Sequence, residues 1–329
     1  MTPTTDILEM PTQNKTDFAD EIAVRVSPAA VIRREEPLAK HTTLRVGGPA
    51  DVYVEPATEA DLAAVLKFCG ERAVKFFTLG RGSNLLVRDG GYRGVVVCLA
   101  HESFSKIEFL VEQASCLSGR LEACPTIRCG AGAKLKNIAV EARRHGLSGL
   151  EFLEGIPGSV GGALRMNAGA MGSQTFEVVE SVRLMDFDGN LREVKPPELS
   201  VKYRGCDTLK YHIALGAVLK GRPDSPESIA QRMSAFSQKR WASQPAAPSA
   251  GCAFKNPPSI PAGKLIDELG LKGTRVGGAA VSPEHGNFIV NDGNATARDV
   301  LELIAILQQR AKAERGIELQ TEVEIIGAD

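Results

Sequence analysis

Six glycines, Gly155, Gly158, Gly161, Gly162, Gly169 and Gly172, crowd the stretch EGIPGSVGGALRMNAGAMG at 154–172. Between the first and last of them only Arg165 is charged. Glycine adopts φ > 0 without a Cβ clash and lets backbone approach another surface closely. Backbone N–H groups exposed in this way form concave anion sites. The stretch therefore reads as a loop that cradles a diphosphate, with a plain cluster of tight turns as the alternative. In either case it is a close-approach segment around which the other elements must fit.

Two further glycine loops precede it. Each comes after a short apolar run: LGRGSN at 79–84 after Phe76–Leu79, and CGAGA at 129–133 after Thr126–Cys129. Neither ends in Gly-Lys-Ser/Thr, and neither fits GxGxxG with a distant acidic residue, so a P-loop and a Rossmann site are both disfavoured. One long ligand with a diphosphate in its body would explain all three loops. Flavin adenine dinucleotide (FAD) is such a ligand.

At 329 residues the chain exceeds the usual single-core size, so two or three domains are expected. A net charge of -1 gives no basic face for nucleic acid. No apolar run approaches the roughly 20 residues that span a bilayer. The start, MTPTTDILEM, lacks a basic region leading into an apolar one. The seven cysteines, Cys69, Cys98, Cys116, Cys124, Cys129, Cys206 and Cys252, are odd in number and include no CxxC. A reducing cytoplasm fits them better than a disulfide framework. His41, His101, His145, His212 and His285 show no metal-ligand spacing, so no metal is expected.

Residues 1–30, polar and broken by Pro3 and Pro11, are expected to be a mobile tail. Thr58 should cap a helix running to Glu71. Strands are expected at 76–79, 85–87, 94–99 and 213–219, and a hairpin at 178–194 turning on Asp188-Gly189-Asn190. Helices should run from Leu135 towards Gly146, from Ser228 to Arg240, and from Thr296 to Arg315. The five prolines of 242–263 predict irregular loop there. Leu319–Ile326 should close the chain as a strand. The mixed order argues for α+β domains.

Many ordered segments resemble one family, the UDP-N-acetylenolpyruvoylglucosamine reductases: HTTLRVGGPA, LGRGSNLLV, GAGAKL, GLSGLEFLEGIPGSVGGALRMNAGA, YRGC, SAGCAFKNP, GKLIDELGLKG, HGNFIVN and TEVEIIG. They run from His41 to Gly327. The central loop is similar to the shorter subgroup, which lacks a loop carrying a substrate-covering tyrosine. The resemblance implies an FAD-binding domain of the vanillyl-alcohol oxidase and p-cresol methylhydroxylase type over 31–222, in two parts at about 31–100 and 101–222. It also implies a smaller α+β substrate domain over 223–329. The implied flavin contacts are Gly80, Arg81, Gly82, Ser83 and Asn84; Gly130, Ala131 and Gly132; Gly158, Ser159, Val160, Gly161 and Gly162; and Asn167, Gly169 and Ala170. Relatives with covalent flavin use a histidine where this chain has Ser83-Asn84, so noncovalent FAD is expected.

The family's reaction is the NADPH-driven reduction of UDP-N-acetyl-3-O-(1-carboxyvinyl)glucosamine to UDP-N-acetylmuramate for peptidoglycan, in the cytoplasm, with no nucleic-acid or membrane partner. By motif, its charge-stabilising arginine falls on Arg204 and its carboxylate on Glu322; Glu324 is chosen against by motif alone. The family usually has serine as proton donor where this chain reads Gly251-Cys252-Ala253-Phe254-Lys255-Asn256-Pro257. Cys252 is expected to take that role, with Lys255 lowering its pKa and making it oxidation-prone. The alternative is an inert buried cysteine. Tyr203, Lys255 and Asn256 are candidate substrate contacts. Met171 and Ser243 depart from residues common in relatives. The chain is expected to be a monomer. A flavin oxidase and a non-catalytic sugar-nucleotide binder are the rival classes; oxygen consumption would reveal the first, colourless protein the second.

Overall fold

The computed structural model describes residues 15–115 and 121–329. Residues 1–14 of the expected tail and Cys116 lie outside them, as does the side chain of Cys124.

Strand and helix signals at the start of the chain build one small module. Its four strands are ordered Val31–Pro37, Pro49–Glu55, Tyr92–Cys98, Phe76–Leu79. The first pair is antiparallel and the other two are parallel. Parallel strands covered on both faces read as continuous apolar runs, and Val95, Val96 and Val97 are all buried. The helix Glu59–Glu71 starts at Thr58, whose side chain accepts from Asp61 N in a reciprocal capping box. Asp61 also accepts from Ser27 N and Oγ. These bonds hold its carboxyl below the usual range despite its burial. The expected tail is corrected here. A helix, Lys15–Ala23, buries Ala19 and Ile22 in this core and sets Phe18 edge-on to Phe68.

The second module is a five-stranded antiparallel sheet, ordered Leu191–Val194, Val179–Asp186, His212–Lys220, Leu121–Gly130, Ile107–Ser115. The helix Leu135–Arg144 buries Leu135, Ile138, Ala139 and Ala142 against it. The helix Pro226–Trp241 adds Ile229 and Met233 to the same core. The third module therefore begins after that helix and not at 223.

In the third module four strands are ordered Ser249–Cys252, Phe288–Asn291, Ala279–Val281, Arg275–Val276. The helix Ala297–Arg315 covers them with Val300, Leu303, Ile304, Leu307 and Ala311. Each fully buried aliphatic side chain of this kind contributes about 1.5–3 kcal/mol. The segment expected to be irregular throughout thus contains a strand, Ser249–Cys252, and the start of a helix, Ala262–Glu268. The last strand, Glu324–Ile326, leaves this module and pairs in parallel with Leu85–Val87 of the first. The end of the chain is stitched to the segment just beyond the first glycine loop.

Candidate active site

The three glycine loops meet in one cleft of about 1500 Å³. The first, Gly80–Asn84, turns sharply at Gly82, whose φ is +59°. A Cβ there would lie 2.2 Å from the His41 carbonyl oxygen, so no side chain fits. Among the described residues the N–H groups of Arg81, Gly82 and Ser83 have no hydrogen-bond partner in the protein. Ser159 closes on this loop: a Cβ on Gly80 would come within 3.2 Å of its Oγ. Behind them, Val160 N donates to Ala133 O at 3.1 Å and Gly161 N to Ala131 O at 2.8 Å. Those bonds clamp the central loop onto the CGAGA loop. Gly161 is therefore a close-packing residue, not a phosphate-facing donor.

Gly80, Arg81, Gly82, Ser83, Asn84, Ala131, Gly132, Gly158, Ser159, Gly161, Gly162, Gly169 and Ala170 all line the cleft. Gly130, Val160 and Asn167 do not. Gly130 is where a Cβ would strike Phe104 O at 2.1 Å. Val160 is core. Asn167, in the left-handed region, ties Gln174, the Lys202 carbonyl and Phe176 N together. The cleft has the features FAD requires: unpaired N–H groups, small residues whose Cβ would fill the space, and a volume above the usual 300–1,000 Å³ of a single-ligand pocket.

At one side of the cleft three side chains converge from distant parts of the chain. Arg204 sits at the second turn position of a two-residue hairpin joining Val201–Lys202 to Gly205–Cys206, with φ +56°. Such a conformation costs a non-glycine residue of order 1–3 kcal/mol. Its Nε lies 2.8 Å from Glu322 Oε1. The Nε–H is not aimed at that oxygen and finds no directed hydrogen bond, so the contact is an ion pair. Glu322 is placed by backbone on both sides: its N donates to Ala253 O at 2.8 Å, and its carbonyl accepts from Asn84 Nδ2 at 3.0 Å. Burial pushes its carboxyl above the usual range, with Arg204 and then Lys255 pulling the other way.

Cys252 ends the strand Ser249–Cys252, opposite Phe288. Burial pushes its thiol up to about 12, and the Glu322 carboxylate adds to the rise. Arg204 and a hydrogen bond from Asn287 oppose it more weakly. This runs against the expectation of a lowered pKa: the partly buried thiol is held in its protonated, less reactive form.

Asn287 was not legible as a site residue. It is 2% exposed. Its Oδ1 accepts from Phe254 N at 2.9 Å and its Nδ2 donates to Phe254 O at 2.7 Å. Its own carbonyl accepts from Ala253 N at 2.8 Å. It fixes the strand end that carries Cys252. A buried amide in the apolar run of HGNFIVN was the available signal.

The expected substrate contacts do not line the cleft. Tyr203 is 57% exposed, with its ring centroid 5.1 Å from Arg204 Cζ. Lys255 is exposed, and its backbone N donates to Gln320 O. Asn256 Oδ1 accepts from Ala262 N at the start of a helix.

Comparison with known proteins agrees with this architecture. A family model described as UDP-N-acetylenolpyruvoylglucosamine reductase, C-terminal domain, matches residues 244–326, and one described as FAD binding domain matches 50–195. A UDP-N-acetylenolpyruvoylglucosamine reductase of Syntrophomonas wolfei is 40% identical over 92% of this chain and 97% of its own. One from Geobacter metallireducens is 42% identical over 91% and 95%. The crystal structure of the enzyme from Thermus caldophilus superposes with a TM-score of 0.73 at 40% identity, covering 90% of this chain and 98% of that one.

Proposed function

The chain belongs to the UDP-N-acetylenolpyruvoylglucosamine reductase family, and from that premise we propose how its own residues divide the work. It is a flavoprotein oxidoreductase that reduces UDP-N-acetyl-3-O-(1-carboxyvinyl)glucosamine to UDP-N-acetylmuramate, a peptidoglycan precursor, with FAD. The loop Arg81–Ser83, with Ser159 and Gly162, would hold the FAD diphosphate on its unpaired donors. Bound FAD would supply the hydride chemistry, with NADPH as the reductant and the terminal vinyl carbon as the acceptor.

Arg204, Glu322 and Cys252 handle the charge and the proton on the substrate. As hydride adds, the vinyl electron pair moves to the carboxylate-bearing carbon. Arg204 faces that charge with a guanidinium that cannot lose its proton. Glu322 holds Arg204 in place through their ion pair. Cys252 gives its thiol proton to the carboxylate-bearing carbon, which completes the product; the thiolate recovers a proton from water. The observation that carries this reading is the meeting of a hairpin, a strand end and the C-terminal segment at one point of the cleft.

An anaerobic two-step spectrum tests it. NADPH should bleach the flavin band and the enolpyruvyl sugar nucleotide should restore it. In Arg204→Ala the bleaching should proceed at near-normal rate while restoration slows about two to four orders of magnitude. Equal slowing of both steps would sink the assignment.

The same reading has the chain acting as a cytoplasmic monomer without nucleic acid. The near-neutral net charge counts against a nucleic-acid partner, and the free thiols of Cys69, Cys98, Cys129, Cys206 and Cys252 fit a reducing compartment. Among the described residues no helix is long and apolar enough to cross a membrane.

A further inference from the structure

Arg165, the one charge between Gly155 and Gly172, has no part in the chemistry above. It lies in the helix Val160–Met166 and lines the same cleft as Arg204 and Glu322. Its guanidinium holds two other segments at once. One nitrogen donates to the Leu209 carbonyl at 2.9 Å, and another meets Glu324 Oε1 at 3.0 Å. Leu209 belongs to the turn Asp207–Lys210, which follows the hairpin that carries Arg204. Two residues on from Arg165, Asn167 Nδ2 donates at 3.2 Å to the carbonyl of Lys202, on the first strand of that hairpin. One helix end thus grips the Arg204 segment before and after its turn.

Glu324 lies two residues past Glu322, and each carboxylate meets a different arginine: Arg165 for Glu324, Arg204 for Glu322. Asn84 holds the same segment through its backbone. The Asn84 carbonyl accepts from Glu324 N, and Nδ2 donates to the Glu322 carbonyl, both at 3.0 Å. The contact between Arg204 and Glu322 has no directed hydrogen bond at Nε to set its geometry. Its placement therefore depends on whatever holds the two segments. The side chains of Arg165 and Glu324 are 38% and 36% exposed, and an ion pair so exposed adds little to stability. A rigid guanidinium fork that joins two segments supplies geometry instead. We propose that Arg165 is a positioning residue: by bridging Leu209 and Glu324 it sets Arg204 and Glu322 face to face for the step on the sugar nucleotide. This rests on the reading of that pair as the end that takes the enolpyruvyl group. Arg165 acts through Arg204 and Glu322, not on the flavin.

The anaerobic two-step spectrum separates placement from folding. Arg165→Gln and Glu324→Gln should each be bleached by NADPH at near-normal rate. Both should recover with the enolpyruvyl sugar nucleotide about ten- to a hundredfold more slowly, the scale of a misplaced group. Flavin content, flavin spectrum and Tm should hardly change. Glu324→Gln serves if the Arg165 variant fails to fold. Arg165→Glu combined with Glu324→Arg should recover faster than Arg165→Glu alone, because the bridge returns with its charges exchanged. It should stay below wild type, because a carboxylate cannot donate to the Leu209 carbonyl. The proposal is overturned if both glutamine variants recover at the wild-type rate, or if the exchanged pair does no better than Arg165→Glu. A shifted flavin spectrum or equally slowed bleaching in Arg165→Gln would also overturn it, by placing Arg165 on the flavin. Arg204→Ala tells the two readings apart. Slow recovery there beside normal recovery in Arg165→Gln sinks the positioning role alone; normal recovery in both sinks the reading of Arg204 with it.

Discussion

Cys252 shows how far environment can move one residue from its expected chemistry. A neighbouring lysine suggests a reactive thiolate, but burial and the Glu322 carboxylate hold the thiol up to about 12. The proton is present at every pH below that value and leaves only as pH rises through it. Turnover should therefore show no alkaline limb from Cys252 across the neutral and mildly alkaline range, and Cys252→Ser should have the same profile as wild type there. Iodoacetamide should inactivate the folded enzyme far more slowly than it labels the unfolded chain. Cys252→Ser should keep measurable activity, and Cys252→Ala should lose at least about two orders of magnitude in substrate-driven flavin reoxidation. Wild-type turnover in the alanine variant would move the donor to Glu322. Asn287→Ala should slow the same half-reaction, because it frees both backbone groups of Phe254; flavin reduction by NADPH is the control that a general loss of fold would also lower.

At the scale of elements, local signals are legible in the sequence and distant ones are not. The Thr58 cap, the strands Phe76–Leu79 and Leu85–Val87 and the helix starting at Thr296 arise from short-range patterning, and the structure has them. The strands Pro49–Glu55 and Ile107–Ser115 escape such patterning: the first opens on a proline, and the second borders a five-stranded sheet and pairs on one side only. The helix Lys15–Ala23 presents two deeply buried side chains among polar neighbours, too little periodicity to notice. The strand Ser249–Cys252 is held by pairing with Phe288–Asn291, which no reading of the surrounding prolines could supply. Composition locates the glycine loops, but hydrogen bonds between loops decide which glycine faces a ligand. Gly82→Val should purify colourless, because its Cβ would strike the His41 carbonyl and its φ is strained for valine. Gly161→Val should lower Tm by crowding Ala131, and any flavin loss would result from that instability.

Across the whole molecule, the proposed reading places every ligand in one cleft. Its volume is about 1500 Å³, and the paired charges of Arg204 and Glu322 sit at a single point within it. NADPH and the sugar nucleotide should therefore exclude one another. Initial rates should give parallel double-reciprocal lines, the ping-pong pattern, and NADP⁺ should compete with the sugar nucleotide for the reduced enzyme. Intersecting lines would require both to bind together. The meeting of residues 204, 252 and 322 was legible only through family motifs, since nothing local to any of the three encodes the other two.

The pairing of Glu324–Ile326 with Leu85–Val87 has a consequence in time. A ribosome makes the flavin loops at 79–172 well before Glu322. Domains fold from the N-terminus as they emerge, at about 5–20 residues per second. The nascent protein thus completes its cofactor cradle well before it owns the carboxylate that holds Arg204. A chain ending at Val323 keeps Glu322 but loses the strand that anchors it. It should load FAD and accept electrons from NADPH, yet return them to the sugar nucleotide about a hundredfold more slowly, the penalty of a misplaced group. Full return by that chain would show that the final strand is dispensable. Slow return would instead make synthesis itself a safety catch, since a chain stopped before this strand would not be a working reductase.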